Sequence, residues 1–277
     1  MKLFGTHIDS NINNIQDEII MINEYNGNLV QFFVNSKFNT KNYEKIKNDL
    51  EKYNIKLVIH ASYTINIARD WSEHSWWLKQ LYLEIELAEY LGAFGIVIHL
   101  GKQLKLSTEE GLNNMYTSLL YIYNKTKDFN IKIFLETSTG QGSEMCYKLE
   151  DFAYFFNKFI KINNITKDKF RICLDTCHIF QAGYDISNKK NINKYMNDFE
   201  RLIGIKYIGL VHLNDSKNEL GSKLDRHESL GDGYIGLDAI KYISKFFFNI
   251  NVPIILETRQ DKIKEELKLL LDLSVYD

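Results

Sequence analysis

Short apolar runs recur along the chain, each followed by a longer amphipathic stretch. Runs rich in Val, Ile, Leu and Phe occupy residues 2–8, 29–34, 55–61, 95–100, 131–137, 170–177, 207–213 and 252–258. They are nearly continuous, the pattern of parallel strands covered by helices. Between them apolar residues fall at i, i+3, i+4 and i+7, which predicts helices over segments such as 75–91, 108–123 and 261–273. Eight such units in 277 residues predict one (β/α)8 TIM barrel, a single domain over 1–277. An open doubly wound sheet is the alternative, but the first run leads into Ile8-Asp9-Ser10-Asn11, without a glycine-rich turn. The Asn- and Lys-rich stretches 188–193 and 217–223 read as loops, since no composition shift or linker divides the chain.

The ends of the runs carry the chemistry. The first ends in Gly5-Thr6-His7, the third in Val58-Ile59-His60, the fourth in Val97-Ile98-His99 and the fifth in Phe134-Leu135-Glu136. The sixth ends in Cys173-Leu174-Asp175, the seventh in Leu210-Val211-His212 and the eighth in Ile255-Leu256-Glu257. Only the second, ending at Val34-Asn35, lacks a His or a carboxylate. In a barrel these ends meet on the C-terminal face, where active sites are built. One histidine at a strand end is more often a hydrogen-bonded boundary residue than a ligand; seven ionisable ends together are a different matter. Crowding them without compensation is costly, and divalent cations are the simplest compensation.

Two loops extend the set. Asp175-Thr176-Cys177-His178 places an imidazole three residues past a strand-end carboxylate, and Asp225-Arg226-His227 puts two ligand types on one face of an extended segment. The candidate ligands are therefore His60, His99, Glu136, Asp175, His178, His212, Asp225, His227 and Glu257. Nine are too many for one tetrahedral ion and fit two or three. Five imidazoles with four carboxylates favour Zn2+, with Mn2+ as a substitute, over Mg2+ or Ca2+.

Composition narrows the setting. With 34 Lys+Arg against 36 Asp+Glu the formal charge is −2, which does not suggest a conventional basic nucleic-acid module. No apolar run approaches the roughly 20 residues of a membrane span. The first residues lead directly into strand-like sequence, leaving no room for a signal peptide. Cys146, Cys173 and Cys177 cannot all pair among themselves and suit a reducing compartment. The expectation is an intracellular protein, neither secreted nor membrane-bound. Pro253 is the single proline, so loop boundaries rest on hydrophobic period, Gly and Asn.

Longer blocks then carry a resemblance. Residues 135–143 (LETSTGQGS), 173–178 (CLDTCH), 212–217 (HLNDSK) and 225–236 (DRHESLGDGYIG) are similar, in order, to signature segments of the endonuclease IV family of AP endonucleases. The resemblance runs essentially end to end. It implies three zinc ions on a (β/α)8 barrel and cleavage of double-stranded DNA on the 5′ side of abasic sites. By it, His60, His99 and Glu136 hold the first zinc, while Glu136 with Asp175, His212 and Glu257 holds the second. His178, Asp225 and His227 hold the third. It further implies a hydroxide shared by two zincs as nucleophile, with Glu136 and Glu257 as catalytic carboxylates and a third zinc at the leaving oxygen. The products would be a 3′-hydroxyl and a 5′-deoxyribose phosphate, in base excision repair by a monomer, with 3′-end trimming as a further activity.

Three metal ions would also give a near-neutral chain a cationic mouth, beside Lys217, Lys223 and Arg226. The DNA-binding candidates are Tyr63, Lys37, Gln141, Lys217 and Arg226, with Tyr63 filling the gap left by a flipped-out nucleotide. Departures from the family pattern cluster in the gripping loops. Thr64 stands where an apolar wedge is usual, Lys37 where an Arg is common, and His99-Leu100-Gly101 replaces His-Pro-Gly. Two other readings stay open: a two-metal sugar isomerase or epimerase, against which the extra triad argues, and a damaged-DNA binder with a closed structural cluster.

Overall fold

The computed structural model describes residues 2–9, 14–34 and 40–275. The strands β1 (Phe4–His7), β2 (Leu29–Phe33), β3 (Lys56–His60), β4 (Gly95–His99), β5 (Lys132–Glu136), β6 (Phe170–Asp175), β7 (Ile208–His212) and β10 (Ile254–Leu256) close into a parallel barrel. Between β7 and β10 an antiparallel pair, β8 (Asp215–Ser216) and β9 (His227–Glu228), stands outside the barrel sheet. The helices α1 (Ile15–Glu24), α2 (Thr40–Lys52), α3 (Trp76–Tyr90), α4 (Thr108–Thr126) and α5 (Leu149–Ile160) follow the first five strands. After them come α6 (Asn164–Lys169), α7 (Thr176–Gln181), α8 (Lys189–Leu202), α9 (Leu237–Asn249) and α10 (Ile263–Val275). The fold is the (β/α)8 TIM barrel that the apolar spacing predicts. No described helix is long and apolar enough to cross a membrane.

The longer helices lay an apolar stripe on the sheet. On α3 the stripe is Trp77, Leu81, Ile85 and Ala88; on α5 it is Phe152, Phe155, Phe156 and Phe159, all buried. A capping box of Ser107 and Glu110 starts α4, satisfying backbone N–H groups that a helix start leaves free.

Inside the barrel the period-2 alternation of strands sets the height of every side chain. One apolar layer consists of Leu29, Val58, Val97, Phe134, Cys173, Leu210 and Ile255, one from each of seven strands. The eighth strand supplies Gly5, where a Cβ would lie 1.5 Å from the Leu29 carbonyl oxygen, so no larger residue fits. Phe134 fills space that Gly95 leaves open, since a Cβ there would meet its ring at 1.8 Å. Two residues further along each strand the inward positions are His7, Gln31, His60, His99, Glu136, Asp175, His212 and Glu257. A polar ring thus sits directly on an apolar floor. The second strand, which lacks a His or a carboxylate as expected, still contributes to the ring. It ends at Phe33, so the residue at ring height is the buried Gln31; Asn35 lies outside the described residues.

Candidate metal centre at the barrel mouth

The structure brings the nine candidate ligands into three groups. His60, His99 and Glu136 form the first; Glu136, Asp175, His212 and Glu257 the second; His178, Asp225 and His227 the third. Within each group one donor atom per residue lies within 4.8 Å of the others. Glu136 belongs to two groups, its Oε2 lying 3.1 Å from His99 Nε2 and its Oε1 2.9 Å from His212 Nδ1.

The local backbone explains which nitrogen each ring presents. His60 Nδ1 lies 2.8 Å from the Ala61 carbonyl, His178 Nδ1 2.7 Å from that of Thr137, and His227 Nδ1 3.2 Å from that of Glu257. A carbonyl only accepts, so each Nδ1 carries the proton and each Nε2 offers its lone pair to the group. His212 is the reverse. Its Nε2 lies 2.9 Å from Gln31 Oε1, and its Nδ1 faces Glu136 and, at 3.1 Å, Glu257 Oε2.

The carboxylates are oriented too. Asp175 caps α7, its Oδ1 accepting from the His178 N–H at 2.7 Å, while Asn214 donates to its Oδ2 at 2.7 Å. Asn214 Oδ1 also accepts from the Glu257 N–H. The third group depends on two loops. Asp225 Oδ1 stands 3.2 Å from His178 Nε2 and 3.4 Å from His227 Nε2. Asp215 braces the segment after it, accepting from the N–H groups of Gly231, Ile235 and Gly236. At Gly233 a Cβ would collide with that carboxylate at 2.5 Å.

Electrostatics and unmet polar atoms fit divalent cations. Burial works against the Glu136 carboxylate, yet His99 and His212 outweigh it and hold its pKa well below the usual range. Burial likewise opposes a charged His178, but Asp175 and Asp225 hold it well above the histidine range. Burial raises Asp175, which shares the site with two further carboxylates, Glu136 and Glu257. Among the described residues Glu136 Oε2, His178 Nε2 and His227 Nε2 are buried without a hydrogen-bond partner. Buried polar atoms are normally satisfied; three unsatisfied donor atoms, one or more in every group, are what metal ligation would resolve.

The DNA-binding candidates fare differently. Tyr63 is 66% exposed and rests at 4.8 Å on Phe33 and at 5.3 Å on both His60 and His99. A groove of about 480 Å³ runs from Tyr63 past Asn66, Arg69, Lys102 and Arg226. Arg226 and Lys217 are exposed beside β8 and β9. Gln141 lines the groove, but its side-chain carbonyl accepts from the Asp225 N–H at 2.9 Å and so steadies the third group. Lys223 lies over the Tyr147 ring at 4.3 Å. Lys37 lies outside the described residues. His74 is exposed and away from the centre, and all three cysteines are free and buried. Gln31 and Asn214 are amides without charge, so a pattern of ionisable strand ends does not reveal them; the signal for Gln31 is its place two residues past the inward Leu29.

Comparison with known proteins places the chain. Residues 20–273 match the model of the family described as Xylose isomerase-like TIM barrel. A protein named probable endonuclease 4 from Staphylococcus aureus is 33% identical over 267 residues, covering 92% of this chain and 87% of the relative. The crystal structure of endonuclease IV from Thermus thermophilus superposes with a TM-score of 0.77 at 23% identity, over 98% of both chains. A D-tagatose 3-epimerase-like protein gives 0.75 at 20% identity, over 99% of this chain and 98% of its own. Both solved structures share the fold of this chain.

Proposed function

The chain belongs to the endonuclease IV family, and on that premise we propose that it is a DNA repair endonuclease that hydrolyses the phosphodiester 5′ to abasic sites in duplex DNA. The observation that carries the reading is the third group, His178, Asp225 and His227, standing beside two groups that share Glu136. A two-metal sugar isomerase or epimerase has no use for it.

Zn2+ ions are the proposed occupants: His60, His99 and Glu136 would hold one, Glu136, Asp175, His212 and Glu257 a second, and His178, Asp225 and His227 a third. When bound they supply Lewis acidity, acidifying water and offsetting charge on phosphate oxygens. The protein's own part is orientation. Backbone carbonyls aim the His60, His178 and His227 rings, and Asn214 sets Asp175 and Glu257. Tyr63 walls the centre on its solvent side, where a flipped-out abasic nucleotide would enter. Such a nucleotide lacks the base whose stacking resists extrusion, which gives selectivity. Arg69, Lys102 and Arg226 along the groove would follow the strand's phosphates. The products would be a 3′-hydroxyl and a 5′-deoxyribose phosphate, with 3′-end trimming as a secondary activity of a monomer acting inside the cell.

The test is incision of a duplex carrying one abasic site by zinc-loaded protein. The expected result is a single nick whose 3′ end a polymerase extends, with undamaged duplex left intact. Epimerisation of a ketohexose without any incision would overturn the reading.

A further inference from the structure

Of the four candidate ligand histidines whose proton is fixed by a hydrogen bond, three are held by backbone carbonyls and one, His212, by a side chain. That side chain, Gln31, is fully buried in the ring. A buried amide is costly unless its donors and acceptor are matched. Here they are: Nε2 donates to Glu257 Oε1 at 2.7 Å and lies 3.0 Å from His7 Nδ1, while Oε1 lies 2.9 Å from His212 Nε2. The orientation of the amide follows from its neighbours. A carboxylate only accepts, so the NH2 group must face Glu257 and the carbonyl must face His212.

We propose that Gln31 is a positioning residue that fixes His212 with its Nε2 protonated and its Nδ1 lone pair turned into the second metal group, while steering Glu257 into the same group. Without an acceptor at Gln31, the His212 proton would be free to sit on Nδ1, where Glu136 Oε1 at 2.9 Å and Glu257 Oε2 at 3.1 Å would draw it. A proton there occupies the lone pair that a metal needs. The amide also takes up Glu257 Oε1 and leaves Oε2 toward His212. Neutrality suits it to both tasks: a carboxylate at this place would accept from His212 but repel Glu257, and an aliphatic residue would do neither.

The inference rests on the metal-binding part of the proposed function, and its test is read without DNA. In zinc-loaded protein labelled with 15N-histidine, His212 should be protonated at Nε2; a proton on Nδ1 overturns the proposal before any variant is made. Gln31→Leu should weaken retention of one of three zinc ions by ~10–100-fold in chelator competition, the range for removal of such an outer partner. Gln31→Glu should keep the His212 Nε2–H signal, recovering part of that loss. Wild-type zinc retention and unchanged His212 signals in a folded Gln31→Leu variant would contradict the account, as would loss of the Nε2–H signal in Gln31→Glu. Failure of the wild type to incise abasic duplex would instead sink the functional reading and leave the zinc and tautomer results standing.

Discussion

The candidate ligands carried by strands and those carried by loops differ in how they are held. Glu136, Asp175 and His212 end strands of a closed barrel and are almost wholly buried on an apolar floor, whereas Asp225 and His227 come from a loop and its short pairing with β8. Their side chains are 32% and 20% exposed. Strand ends inherit their position from registered neighbours on both sides in a closed eight-stranded barrel, so a substitution there disturbs packing as well as the candidate ligand set. The loop pair depends on local brackets: Gln141 on Asp225, the Glu257 carbonyl on His227, and Asp215 behind the loop. The lesson is a division of labour, in which the barrel fixes the first two groups and the loops add a third that can change with less damage to the fold.

Substitutions should separate the two regions, beginning with the shared carboxylate. Glu136→Gln removes a ligand from both strand-borne groups, and we expect incision to fall more than ~1000-fold, beyond the loss of a single transition-state contact. Bound zinc should fall to about one per chain, and retention of two ions would show that Glu136 does not bridge. His227→Ala should be milder and confined to the loop group: kcat lower by at least ~100-fold, with a smaller change in the Kd for abasic duplex. Its melting temperature, measured by circular dichroism with the metal removed from both proteins, should match the wild type; a large fall would end the division of labour. The smallest effect should come from the grip. Thr64, exposed and bonded through its hydroxyl to Ser62, offers no wedge. Thr64→Leu should tighten binding to abasic duplex several-fold and leave zinc content unchanged, and if Tyr63→Ala and Thr64→Leu are both silent in a binding titration, this loop does not enter the duplex.

The same contrast governs what could be read in advance. The eight strands were legible because each is a nearly continuous apolar run, and seven ring positions because an ionisable residue ends the run. The ring place of β2 was missed for a physical reason: run length does not fix register, and Val34 extends the apolar run one residue past the strand's end at Phe33. Gln31 is neutral and sits inside the run. The loop-borne group was legible only through the family resemblance, since nothing in the period of the chain shows that Asp225 folds back onto His178. Gln141, expected as a DNA contact, also holds the Asp225 backbone, an interaction no local pattern reveals.

The central claim is that the barrel mouth holds three divalent ions, two on strand-borne ligands and one on the loop-borne set. Elemental analysis of carefully prepared, fully active protein tests it most directly. The account predicts close to three zinc ions per chain; one metal ion or fewer per chain, at full incision activity, would contradict it.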